Sequence, residues 1–346
     1  MFFEQIATGG CQSYIVGCEE RCVAAVIDPE VRQIDRYQAS AARAGLRIAY
    51  VVDTHTHADH FSATDELGKA LGVPIVMHQS SPAPFADLRL QDGDLLMVGN
   101  IRIHAMHTPG HTRDSMCLLT EDRVFTGDTL LIGATGRTDL PSGDPDMLFD
   151  SLFNKLLKLD PALRVYPAHD YKGQGSSTIG AESSTNPRLQ KRDRSEFVEM
   201  MQQLNLSMPT HLTEALRTNM TGGRTVAQML SAATARIPFI SLKELNARIE
   251  RPGDGLVVVD VRERDAYDAG HIPGALHIPR GQLELRVDTE LPDPTTRIVT
   301  VCEFGKISTL AAATLRDLGF LRTSALDGGL SAWRDDGFPL TTSASK

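Results

Sequence analysis

The sequence predicts two α/β domains in tandem, each built from strands and helices around an internal sheet. Three observations carry that expectation. The chain has 346 residues, more than one ordinary domain holds and enough for two. Short apolar runs rich in β-branched residues, such as 48–52 and 298–301, alternate with segments of helical periodicity. A loosely patterned stretch from 172 to 236 is followed by a fresh strand–helix alternation, which divides the chain into 1–235 and 236–346.

Composition narrows the class. Apolar residues make up 41% and charged residues 23%, so a packed core is expected and a disordered chain is not. The net charge of −9 speaks against a nucleic-acid partner, which needs a basic face. Met1-Phe2-Phe3-Glu4-Gln5 leads straight into a strand, so no signal peptide is expected. No apolar run approaches ~18 residues, so no membrane span is expected either. Five cysteines, Cys11, Cys18, Cys22, Cys117 and Cys302, form an odd and sparse set. That suits reduced thiols in a cytoplasmic protein. Cys18 and Cys22 either flank a hairpin tip at Glu19-Glu20-Arg21 or form half of a metal site.

In the first half, residues 13–28 read as two strands around that tip. Ile34, Tyr37, Ala41 and Ala44 recur at helical spacing until Gly45. The strand at 48–52 delivers Thr54-His55-Thr56-His57-Ala58-Asp59-His60. Ser62-Ala63-Thr64-Asp65 resembles a capping box opening a helix that Gly72 closes. Further strands lead to His111, in Thr108-Pro109-Gly110-His111-Thr112, and to Asp128, in Phe125-Thr126-Gly127-Asp128-Thr129. Asp144-Pro145 starts a helix with Leu148, Leu152, Phe153 and Leu156 as its buried stripe. The strand at 164–166 delivers His169.

Imidazole and carboxylate at strand ends suit zinc, iron and manganese. The order of these elements, with His55, His57, Asp59, His60, His111, Asp128 and His169 all in place, resembles the metallo-β-lactamase superfamily over roughly residues 1–230. The resemblance implies an αββα sandwich for this half.

In the second half, 256–262 is a buried strand ending in Asp260-Val261-Arg262-Glu263, and Gly270-His271-Ile272-Pro273-Gly274-Ala275 is a turn. The strand at 298–301 ends at Cys302-Glu303-Phe304-Gly305-Lys306-Ile307-Ser308, which runs into a helix. A loop at a helix N-terminus presents backbone N–H groups and the positive end of the helix dipole. Both favour a thiolate or persulfide anion at Cys302. These elements, closed by Gly328-Gly329-Leu330-Ser331-Ala332-Trp333, resemble a rhodanese sulfurtransferase domain over about 238–340. The resemblance implies a rhodanese-like α/β domain with a central parallel sheet, and a structural rather than catalytic His271.

The two halves together resemble persulfide dioxygenase–rhodanese fusions, as do Gly136-Arg137-Thr138-Asp139, His169-Asp170-Tyr171-Lys172-Gly173 and Asn186-Pro187-Arg188-Leu189. That resemblance implies one iron(II) per chain on His55, His111 and Asp128. His57, Asp59, His60 and His169 would be the groups that orient the ligands or hold a second metal. Arg137, Tyr171 and Arg188 would contact substrate, and Cys302 would carry sulfur. The implied reactants are glutathione persulfide or another small thiol persulfide, O₂, sulfite and thiosulfate, with a homo-oligomer left open. The donor set by itself also admits zinc, and with it a thioester hydrolase of the glyoxalase II type with an attached rhodanese module. Glu303 is acidic where rhodaneses that favour thiosulfate carry a basic residue, so poor use of that dianion is expected.

Overall fold

The computed structural model describes residues 1–9, 11–251 and 255–343. By contact the chain forms two compact units, Met1–Gly223 and Arg224–Lys346.

The first unit begins with an antiparallel meander of β1 (Phe2–Thr8), β2 (Cys11–Cys18) and β3 (Val23–Ile27). Helix α1 (Ile34–Arg43) crosses to β4 (Arg47–Val52), and α2 (Thr64–Leu71) crosses to β5 (Ile75–His78) and then β6 (Leu88–Leu90). From β3 onward these pairings are parallel, in the order β1-β2-β3-β4-β5-β6. The second sheet starts with β7 (Leu95–Val98), β8 (Ile101–His107), β9 (Met116–Leu119) and β10 (Arg123–Gly127). A small hairpin of β11 (Leu130–Leu131) and β12 (Ala134–Thr135) follows, and then α3 (Pro145–Phe149). β13 (Arg164–Pro167) and β14 (Ser177–Thr178) complete the order β14-β13-β10-β9-β8-β7. Three helices end the unit: α4 (Ile179–Thr185), α5 (Arg194–Gln202) and α6 (Leu212–Thr221).

The period of two along each strand sorts its side chains into layers. Tyr14 and Val16 face the second sheet, where they meet Phe125, Leu118 and Tyr166 in the central core. Ile15, between them, faces the other way, toward Tyr37 and Leu67 of α1 and α2. On the far side Val124 and Val165 lie under Leu148, Leu152, Phe197 and Met201. The layers therefore run helix, sheet, sheet, helix, as expected. Each large side chain buried in this way contributes roughly 1.5–3 kcal/mol.

Gly72 closes α2 in the left-handed conformation, and Asp144 caps α3 by accepting from Met147 N–H, both as expected. The capping box at Ser62 does not form. The N-cap of α2 is Ala63, which makes no side-chain cap bond. The Ser62 hydroxyl instead donates to buried Asp53, 2.8 Å away, and accepts from Thr64 N–H. A buried carboxylate left without donors is costly, so Asp53 takes the hydroxyl.

The second unit contains α7 (Val226–Arg236), β15 (Phe239–Ile240), α8 (Leu242–Ile249), β16 (Leu256–Asp260), α9 (Arg264–Ala269) and β17 (Leu276–His277). It continues through α10 (Leu283–Glu290), β18 (Arg297–Val301), α11 (Lys306–Asp317), β19 (Thr323–Leu326) and α12 (Gly329–Asp335). The sheet is wholly parallel, in the order β15-β19-β18-β16-β17. Parallel strands need helical crossovers and are covered on both faces. Val259 and Ile298 accordingly pack on one side, and Val258, Val299 and Trp333 on the other. The break by contact falls ahead of the expected 235/236 division. Ala233 and Ile237, at the end of α7, pack on Ala312 and Ala325 of this unit. Among the described residues no helix is long and apolar enough to cross a membrane.

Candidate functional site

The candidate metal-ligating groups of the first unit follow the carboxyl ends of strands. His55 follows β4, His111 follows β8, Asp128 follows β10 and His169 follows β13. Ring tautomers follow from the hydrogen bonds. Thr54 Oγ1 donates to Asp28 Oδ2 at 2.9 Å, so it accepts from His55 Nδ1 at 3.0 Å. His111 Nδ1 lies 2.8 Å from the Arg137 carbonyl, which only accepts. In its neutral form each ring therefore presents the lone pair of Nε2. These nitrogens lie 3.9 Å (His55) and 3.5 Å (His111) from Asp128 Oδ2. Burial, and then the neighbouring His57, keep the His55 pKa well below its usual value, so the ring stays neutral.

Three donor groups thus converge, and His55 Nε2 is buried without a hydrogen-bond partner. A buried polar group left this way is costly, and a cation at the centre removes the cost. One donor atom from each of the three residues lies within 4.8 Å of the others. Two neutral imidazoles and one carboxylate form the donor set of a facial triad, so the residues fit a transition metal. Close packing supports this arrangement. A Cβ on Gly136 would sit 2.0 Å from the Asp128 carbonyl oxygen and 2.9 Å from His111 Cβ, so only glycine fits there.

The other four candidates are held differently. His57 Nε2 lies 3.3 Å from Asp28 Oδ1 and 3.6 Å from Asp53 Oδ1, in a wholly buried cluster. Burial works against its charge, but the two carboxylates outweigh it and hold its pKa well above the usual value. His169 Nδ1 is 2.7 Å from Asp128 Oδ1, and its Nε2 is 2.6 Å from Asp59 Oδ2. Burial is again outweighed by the carboxylates, so this ring holds protons on both nitrogens. In that state the imidazole orients Asp128. Cys11 Sγ adjoins His169 Nε2 at 3.5 Å and His60 Nδ1 at 3.6 Å. Burial raises its pKa, and those two rings lower it further than that, to about 7.

Several of these groups were not singled out from the sequence. Asp28 follows β3 directly, and the rule that flagged Asp128 after a strand would have found it. Asn219 left no signal. It lies on α6, 162 residues from His57, and donates to the carbonyls of His57 and His60 at 2.8 Å, pinning the metal loop.

A cavity of about 520 Å³ opens onto Asp59, His111, Asp128 and His169, with Arg137, Tyr171 and Arg188 in its walls. The Arg137 fork is already committed, to Asp139 at 2.6 and 2.7 Å and to the Ser207 carbonyl at 2.8 Å. The Arg188 guanidinium donates to the carbonyl and hydroxyl of Thr135, and among the described residues it has no carboxylate partner. Burial lowers its pKa from the usual arginine value. Tyr171 stacks on His169 with ring centroids 5.6 Å apart and stays exposed.

In the second unit Cys302 follows β18 and is buried. Ser308 N–H donates to its Sγ at 3.2 Å, and Sγ donates to Ser308 Oγ at 3.3 Å. Gly305 turns the loop at φ 82° into α11. The loop carbonyls are held from behind by the first N–H groups of α12, Leu330 to Cys302 and Ser331 to Glu303, at 2.8 and 2.9 Å. A Cβ on Gly329 would meet those same carbonyl oxygens at 2.6 and 2.7 Å, which is why a glycine opens the helix. Phe304, Lys306 and Ile307 are exposed. His271 Nδ1 donates to the Tyr267 carbonyl, and Trp333 is fully buried, so both are structural. Cys18 ends β2 and Cys22 lies in the 19–22 turn, and among the described residues they join no metal-ligating cluster.

Comparison with known proteins finds a family model in each unit. The metallo-beta-lactamase superfamily model matches residues 7–169, and the rhodanese-like domain model matches 241–336. The mitochondrial persulfide dioxygenase ETHE1 of Homo sapiens is 37% identical over 214 residues, covering 61% of this chain and 84% of the relative. That of Bos taurus is 36% identical over the same shares. The crystal structure of ETHE1 from Myxococcus xanthus superposes with a TM-score of 0.63 at 37% identity, covering 65% of this chain and all of that one. A metallo-beta-lactamase from Staphylococcus aureus covers 94% of this chain and 98% of its own, with a TM-score of 0.62 at 22% identity, and shows the fold alone.

Proposed function

The chain belongs to the persulfide dioxygenase family and carries a rhodanese-like domain behind that half, and from this premise we propose how its residues divide the work. It is a bifunctional sulfur enzyme, a persulfide dioxygenase and a sulfurtransferase. The first unit converts a persulfide, O₂ and water into the thiol, sulfite and two protons. The second moves sulfane sulfur between thiol persulfides and sulfite or thiosulfate through Cys302.

A metal belongs to this family, and we assign it as one iron(II) held by His55, His111 and Asp128. The observation that carries the assignment is the buried convergence of three bare donors. Iron(II) bound there supplies the O₂ chemistry that no side chain provides. The chain's own residues do the rest. His169 holds Asp128 Oδ1, so Oδ2 stays turned toward the imidazoles. Thr54 and the Arg137 carbonyl fix the tautomers of His55 and His111. The zinc hydrolase reading is not favoured, because the ETHE1 relatives matched over 84% of their length are persulfide dioxygenases.

The expected result is about one iron per chain, with O₂ uptake on adding glutathione persulfide. Metal analysis and an oxygen electrode on the same sample check it. Two zincs, thioester hydrolysis and no O₂ uptake would sink it.

Glutathione as carrier rests on Arg188, a cation in the cavity wall with no carboxylate of its own. It suits a carboxylate of the carrier. Losing a hydrogen bond to a charged group costs about 1.5–3 kcal/mol, so Arg188→Ala should raise KM about ten- to a hundredfold with little change in kcat. The same variant should be nearly silent with a persulfide that lacks carboxylates. Equal effects on both substrates would remove Arg188 from this role. Arg137 braces the 206–208 segment through its carbonyl contacts and is proposed to shape the cavity wall.

A further inference from the structure

The Cys302 loop has an electrostatic arrangement that its sequence alone does not reveal. The Glu303 carboxylate bridges two arginines. Arg262 reaches Oε2 and Arg334 reaches Oε1, both at 3.2 Å. Arg262 also grips Asp260 through Nε and a terminal nitrogen at 3.0 and 2.7 Å. Two guanidinium charges beside the loop are therefore cancelled by two carboxylates. From Cys302 to Ser308 the one cationic side chain is Lys306. The rest of the rim is apolar, with Phe304 71% and Ile307 52% exposed.

Resting on the assignment of Cys302 as the sulfur carrier, we propose that Glu303 is the specificity-determining residue of the second site. It withholds Arg262 and Arg334 from incoming oxyanions. The thiol therefore exchanges sulfane sulfur with an organic persulfide more readily than with thiosulfate or sulfite. The step balances without an oxidant. The Cys302 sulfur attacks the outer sulfur of the persulfide, the bond between the two sulfurs of the donor breaks, and a new S–S bond forms at Cys302. The proton of Cys302 leaves with the released carrier thiol. Thiosulfate follows the same course with sulfite as the leaving group. It is a dianion at both ends of the step, so it needs a free cation at the rim. The organic carrier finds Phe304 and Ile307 there instead. Glu303 thus acts by occupying its partners as well as by repelling the dianion.

Glu303→Gln keeps the shape and removes the charge. With the intact chain, kcat/KM for thiosulfate should rise about tenfold, through KM, and the gain should shrink at high salt. The efficiency with glutathione persulfide should change far less. Arg334 is half exposed, so Arg334→Ala should fold normally. Added to Glu303→Gln, it should return thiosulfate efficiency close to the wild-type value, because the released cation is gone. Equal thiosulfate kinetics for Glu303→Gln and wild type at low salt would overturn the proposal. So would a gain that survives in the double variant. Mass analysis of the Cys302 peptide separates this from the parent reading. If no donor adds a sulfur to Cys302 in the wild type, both fall; if sulfur is added and the variants are silent, only the role of Glu303 falls.

Discussion

Asp128→Ala is expected to retain almost no iron and to lose persulfide-dependent O₂ uptake. Its Oδ2 is the one anionic donor facing the bare nitrogens of His55 and His111. Without it two neutral imidazoles remain, a poor site for iron(II). Changes to groups that merely orient ligands already cost about 10- to 100-fold, so loss of a ligand should cost at least about a hundredfold. The substitution also removes the Oδ1 partner of His169, 2.7 Å away. Breaking a buried ion pair costs about 3–5 kcal/mol, so a lower melting temperature is expected alongside the lost activity. Asp128→Asn separates the two effects. It keeps the volume and one carbonyl oxygen while removing the anionic ligand, so it should melt closer to wild type and still bind iron poorly. Wild-type iron content and O₂ uptake in both variants would show that the metal sits elsewhere, and the cluster of Cys11, Asp59, His60 and His169 would be the next place to look.

The sequence showed which groups could meet more clearly than it showed what each one touches. His55, His111, Asp128 and His169 were legible because each follows a strand-like run, β4 in the first sheet and β8, β10 and β13 in the second, and loops at strand ends present functional groups. The division of labour among the histidines was not legible. It depends on Asp28 and Asp53, which take His57, and on Asp59, which takes His169. Those contacts join residues up to 110 positions apart, and no periodicity reports them. The same holds for Glu303. Its acidity is plain in the sequence, but Arg334, 31 residues on, reaches it only because α12 packs behind the Cys302 loop. Ser62 reads as a cap because the motif is local, and buried Asp53 overrides it. Helix α7 fell in a stretch without an evident apolar face, since its one fully buried residue is Ala233.

Cys302→Ser should abolish sulfur transfer and leave O₂ uptake with added persulfide largely intact. A transferable sulfane sulfur exists only as an S–S bond, and an alcohol oxygen offers no equivalent. Loss of the nucleophile should lower turnover by on the order of a thousandfold or more. The fold should persist. The hydroxyl is smaller than the thiol, it can still accept from Ser308 N–H, and it replaces a side chain that is 2% exposed. The donors assigned to iron, His55, His111 and Asp128, all lie in the first unit, so the serine has no route to them through a shared ligand. Persulfide supplied directly bypasses the lost step. Persulfide generated from thiosulfate and a thiol does not, so O₂ uptake from that mixture should fall with the transferase activity. The oxygen electrode thus reads both sites in one preparation, according to which sulfur donor is added. A variant that melts like wild type yet loses O₂ uptake with preformed persulfide would show that the sites are coupled. Undiminished transfer from thiosulfate would place the sulfur carrier on another thiol, of which Cys22 is the exposed one and Cys11 the one set among imidazoles.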